Sequence, residues 1–78
     1  MAVERALNEL IAYAKLIKEA KAFLDKYAIE AHLSILKKLY AQVDSDPYYV
    51  AREARGYREL LKEKLEEAKE ERRKRHEE

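Results

Sequence analysis

The stretch "VDSDPYY", residues 43–49, holds the only proline of the chain, and no other segment carries comparable turn chemistry. Asp46 suits an N-cap, where a side-chain oxygen accepts from a free N–H of the first turn. Pro47 suits the first helical position, where its missing N–H costs nothing. The sequence therefore predicts one helix ending near Val43 and another running from Pro47 to about residue 75. Elsewhere strong helix formers dominate: twelve alanines, ten leucines and thirteen glutamates against one glycine, one asparagine, two serines and no threonine. The expected fold class is all-α, as a single helical domain over residues 1–78.

In the second predicted helix, Val50, Ala54, Tyr57, Leu61, Leu65 and Ala68 recur at steps of three or four and form one core-facing stripe. Past Ala68, "KEERRKRHEE" has no apolar residue, so residues 69–78 read as a charged, solvated helix end. Glu70 with Lys74 and Glu71 with Arg75 are i,i+4 pairs that support it.

The stripe wanders in the first 43 residues. At about 100° per residue, Val3, Leu7, Leu10, Ile11 and Ala14 share one face, while Leu16, Ala20, Phe23, Leu24 and Tyr27 lie on a face turned by roughly 100°. Ala28, Ile29, His32, Ile35, Leu36, Leu39, Tyr40 and Val43 then return toward the first direction. Supercoiling turns an apolar seam only about 20° per heptad, far less than this.

Two accounts fit. In one, a helix runs unbroken over about 3–43, roughly 60 Å long at 1.5 Å per residue, and its partner changes along its length. In the alternative, the chain breaks near Asp25 and three helices close a monomeric three-helix bundle. An interhelical turn normally uses Gly, Pro, Asn or Ser, and "FLDKYAIEA" offers a lone Asp among helix formers. The expectation is therefore the continuous rod, a helical hairpin with one long arm. The second helix is too short to cover that arm. Val3, Leu7, Leu10, Ile11, Ala14 and Ile17 would stay exposed unless another copy or another protein covered them, so a homo-oligomer is expected.

At 78 residues the chain has room for only a thin core, since a domain this small buries only about 60% of its unfolded surface. Having no cysteine, it forms no disulfide, thiolate metal site or thiol nucleophile. Seventeen basic residues against sixteen acidic ones leave a net charge of +1, without the field that nucleic acid or anionic lipid binding requires. "MAVERALNEL" has no long apolar run, so neither a signal peptide nor a membrane span is expected, and the protein is expected to be soluble. The Ala, Leu, Glu and Lys-rich composition, with alternating charges on the exposed faces, resembles that of computationally designed helical proteins. That resemblance implies a built helical scaffold and transfers no site. "SDPYYVAREARGYREL" resembles a tetratricopeptide turn and first helix, but no second copy appears at a spacing of about 34 residues.

Few residues are candidates for chemistry. His32 falls on the apolar stripe, where the bland role is a neutral imidazole bonded to a tyrosine hydroxyl, with Tyr57 and Leu61 the nearest expected neighbours. The sharper role, ligand to haem or to a metal, lacks a second ligand at i+3 or i+4, where Ile35 and Leu36 stand. No cofactor or metal is therefore assigned. His76 lies in the charged tail. Gly56, in mid-helix, costs roughly 1 kcal/mol against alanine, so a close approach by another helix, a neighbouring subunit or a bound ring is expected there. Tyrosines outnumber phenylalanine six to one, and Tyr13, Ala20, Phe23 and Tyr27 could make an association face. Glutamates on either side cancel the run Arg72, Arg73, Lys74 and Arg75 as a basic patch. The carboxylates have no apolar setting, and no Ser, His and Asp set is in reach, so no catalytic residue is expected. The residues expected in the core or an interface are Val3, Leu7, Leu10, Ile11, Ile17, Phe23, Leu24, Ile35, Leu36, Leu39, Val50, Tyr57, Leu61 and Leu65. The expected function is structural, a self-associating helical scaffold; the alternatives are a ligand site at His32 or a helical binder of a protein target.

Overall fold

The computed structural model describes residues 1–77, with side chains as far as Arg75. They form three helices, α1 (Ala2–Ala20), α2 (Lys26–Ala41) and α3 (Pro47–Glu77). The side chain of His76 lies outside the described residues. The all-α class is what the sequence predicts. The single helix over 3–43 is not: the chain reverses between Ala20 and Lys26.

The reversal uses no special backbone. Ala22, Phe23 and Leu24 N–H groups still donate to Glu19 and Ala20 carbonyls at 2.9–3.3 Å, so α1 tightens into a last, irregular turn. Asp25 then switches to an extended conformation, φ −73° and ψ 165°, and its carboxylate accepts from Ala28 N–H at 2.9 Å as the N-cap of α2. No described residue has positive φ, so nothing in this turn demands glycine or asparagine. The absence of such residues from "FLDKYAIEA" therefore carries no information about the bend. Phe23 and Leu24 decide it, because both pack against the core only if the chain turns there.

The second turn follows its chemistry. Gln42 caps α2, Ser45 O–H donates to the Gln42 carbonyl at 3.2 Å, and Asp46 accepts from Tyr49 N–H at 3.4 Å at the head of α3.

α1 and α3 run in the same direction and pack most extensively, while α2 runs antiparallel to both, packs on α1 and approaches α3 less closely. Arg58 pairs with Glu9 at 3.3 Å, Lys69 with Glu19 at 2.7 Å, and Arg72 donates to the Ala22 carbonyl at 3.3 Å. These three links fix one register between α1 and α3. Residues 69–75 are exposed, and from this charged end Lys69 and Arg72 reach back to α1. Arg72 and Lys69 lie over the Phe23 ring at 4.7 and 5.6 Å from its centroid, so the charged end of α3 clamps the α1–α2 turn.

Two clusters make up the core. One joins Ala6, Leu10, Leu39, Val43, Val50 and Ala54; the other joins Tyr13, Ile17, Ala20, Ile29, Leu61 and Leu65. Ile35, Leu36 and Tyr57 pack against both. The buried stripe of α1 is Ala6, Leu10, Tyr13, Ile17 and Ala20, in steps of three and four. Its small residues and Ala54 of α3 are all fully buried, which lets the two helices approach closely.

Of the approaches expected at Gly56, the structure answers that by another helix of the same chain. Gly56 is exposed, and a Cβ there would meet nothing within 4 Å, so no element of the chain packs closely against it. Gly56→Ala is expected to stabilise the protein by about 1 kcal/mol through helix propensity and a less flexible unfolded chain. A thermal melt of the two proteins measures this; an unchanged or lower midpoint would mean that the exposed face of α3 is occupied.

Candidate functional site

Two features stand out from the core: a part-buried tyrosine–histidine pair and an open apolar groove. The pair is set by α1 and α2. The Tyr13 ring is fully buried and its hydroxyl meets His32 Nδ1 at 2.5 Å. The rings meet edge to face at 5.8 Å, and Tyr57 of α3 stacks on Tyr13 at 6.5 Å. Burial, with the Tyr57 phenol adding to it, pushes the Tyr13 hydroxyl far above the ordinary phenol range, so it keeps its proton. It donates to Nδ1, which places the imidazole proton on Nε2.

The sequence reading seats His32 beside Tyr57 and Leu61. The structure gives it Tyr13 as its partner instead, because α1 rather than α3 is the close neighbour of α2. A signal for this exists in the sequence: Tyr13 lies three residues after Leu10 and four before Ile17. Tyr13 and Ala20 are both fully buried within one chain, so they do not form an association face with Tyr27, whose side chain is largely exposed.

His32 has one nitrogen left, and among the described residues no group of three or more His, Cys, Asp or Glu side chains could hold a metal ion. The burial of His32 couples stability to pH. Burial lowers the His32 pKa from its ordinary value of 6.5, so the fold disfavours the imidazolium while the unfolded chain accepts it freely. The contribution is whole above the ordinary value and declines as pH falls through it toward the lower folded value. Urea midpoints are expected to drop between about pH 7.5 and pH 5, and His32→Asn is expected to flatten that decline.

The groove runs between α1 and α2, with a volume of about 740 Å³. Leu7, Ile11 and Ala14 form one wall, and Leu33, Leu36 and Tyr40 the other. Both are stripes in steps of three and four. Ile11, Leu33 and Tyr40 remain 52%, 41% and 63% exposed, which is unusual for large apolar side chains aligned on facing helices. This second apolar face of α1 explains the wandering stripe: Leu10 and Ile17 turn into the core, while Leu7 and Ile11 turn toward the groove. Among the other expected core residues, Leu39, Val50, Leu61 and Leu65 are buried, and Val3, Phe23, Leu24, Ile35, Leu36 and Tyr57 are half-buried.

Among the described residues no helix is long and apolar enough to cross a membrane. No protein-family model, curated protein or solved structure matches the chain.

Proposed function

We propose that this protein is a non-catalytic, self-associating helical scaffold that completes a larger bundle through the α1–α2 groove. The observation that carries this reading is the exposure of Ile11, Leu33 and Tyr40 along two facing apolar walls in a chain whose composition is 42% charged. The long rod that would demand a partner is absent, yet α1 and α2 fold back to present the same kind of unpaired seam. Covering one such side chain contributes roughly 1 kcal/mol at about 25 cal/mol per Å². A copy placed against the groove recovers several such contributions at once. Charged residues on the outer faces keep the assembly in solution. The composition that resembles designed helical proteins fits a scaffold of this kind.

Sedimentation at tens of micromolar is expected to give a mass above the 9.3 kDa of one chain. Leu33→Lys is expected to return it to a single copy with unchanged helicity, since Leu33 contributes to the groove rather than to either core cluster. A wild-type chain that stays single would overturn the reading.

A further inference from the structure

We infer that the occupant of the groove is a second copy of this chain related by a two-fold axis at right angles to the helices, with α1 against antiparallel α1 and α2 against antiparallel α2. This inference rests on the self-association reading and specifies its geometry. It comes from the placement of charge along the two groove-facing stripes.

On α1 the stripe reads Glu4, Leu7, Ile11, Ala14, Lys18, with both charged residues exposed. Glu4 and Lys18 each stand one heptad from Ile11. If two copies of α1 meet antiparallel and centred on Ile11, Glu4 of each copy lies level with Lys18 of the other. On α2, Glu30 and Lys37 both line the groove and stand symmetrically about the point between Leu33 and Ser34. Antiparallel pairing about that point sets Glu30 of each copy against Lys37 of the other. Each stripe is therefore complementary to its own reverse, which is what an isologous contact requires.

The two centres lie within about one helical turn of each other in height. Tyr13 and His32 bond across the α1–α2 hairpin, and Ala6 and Leu10 share a cluster with Leu39 and Val43. With the helices antiparallel, the Tyr13–His32 bond sets Ile11 level with Ser34, while pairing Ala6 with Val43 and Leu10 with Leu39 sets it about one turn further on, near Lys38. One axis can therefore serve both stripes. Two unrelated charge patterns would have no reason to centre within a turn of each other.

Other features of the face fit. Lys15 would lie level with Leu7 of the other copy, and Lys26 with Ala41, so neither lysine meets a like charge. Glu30 already has an exposed partner in Lys26 at 3.9 Å, which makes the α1 pair the cleaner one to test. The other two-fold arrangement, α1 over α2 of the second copy, sets Glu4 level with residues 41–45, where no cation stands, and so leaves Glu4 unpaired.

The test is a charge swap on α1 read by sedimentation equilibrium. Glu4→Lys and Lys18→Glu alone are each expected to weaken self-association about tenfold, because each places like charges together twice per dimer. The double swap E4K with K18E is expected to restore it to within about threefold of wild type, and mixing the two single variants is expected to give a heterodimer. Net charge alone cannot reproduce this pattern, since Lys18→Glu moves the chain from +1 to −1 without changing its magnitude. If wild type associates but the double swap is no better than the single variants, the two-fold arrangement is wrong while self-association stands. If wild type remains a single copy, the self-association reading itself fails. Circular dichroism of each variant establishes that folding is intact, as both substituted positions are exposed and outside the core clusters.

Discussion

Leu61→Ala is expected to destabilise the protein by about 2–5 kcal/mol. Leu61 is fully buried where α3 meets Tyr13, Ile17 and Ile29, so the deletion removes transfer energy and leaves a void that three helices border. Whether the void collapses sets the position within that range. The α1–α3 side is held by the Glu9–Arg58 and Glu19–Lys69 pairs at a fixed register, which resists collapse and favours the upper half. The whole stability of a 78-residue chain is roughly 4–12 kcal/mol, so one such loss is a large share of it. A thermal melt should fall by about 4–8 °C for each kcal/mol lost. A shift below about 5 °C would mean that the second cluster is loosely packed. If self-association contributes to the transition, the midpoint also moves with protein concentration, and the two proteins are compared at one concentration.

Tyr13→Ala is expected to cost about 3–5 kcal/mol, as for the deletion of any fully buried ring. Tyr13→Phe separates the two contributions of the side chain. It keeps the stacking on Tyr57 and the edge contact with His32 but removes the hydroxyl, leaving Nδ1 without its donor. That cost is about 1–2 kcal/mol, and the half-buried position of His32 gives water some access to the orphaned nitrogen, which favours the lower end. Without a hydroxyl proton to offer Nδ1, the Tyr13→Phe variant is expected to keep the pH decline that desolvation causes while its stability at neutral pH drops. Urea melts of both variants at two pH values distinguish ring from hydroxyl. Equal stability of Tyr13→Phe and wild type would show that the hydrogen bond contributes nothing net.

Much of the architecture is written locally. Asp46 and Pro47 start α3 because capping and a fixed φ act within a few residues, and the α3 stripe from Val50 to Leu65 is a single unambiguous face. The bend at Asp25 is harder to see, because its residues all adopt ordinary backbone angles. A turn of that kind leaves no compositional mark. Its one positive sign is an Asp able to cap, and the good helix formers around it outweigh that sign.

The candidate site is legible in its parts but not in its assembly. Leu7, Leu10, Ile11 and Leu36 read as seam residues, and the seam exists, but α1 carries two apolar faces rather than one that drifts. The more buried of them joins Leu10, Tyr13 and Ile17 to the small Ala6 and Ala20, and those alanines let α3 approach closely. Each face carries two large aliphatics, Leu10 and Ile17 on the core side and Leu7 and Ile11 on the groove side, so counting them does not tell core from groove.

Residue order alone is enough to make the chain helical, to start α3 at Pro47 and to choose which of its side chains face inward, because propensity, capping and periodicity act over one or two turns. It does not say that Tyr13 meets His32, that Arg72 closes over Phe23, or that Ile11 and Leu33 end on one open groove. Those outcomes depend on which helices become neighbours, and that choice is made by the sum of burial over the whole chain, a quantity no local window contains.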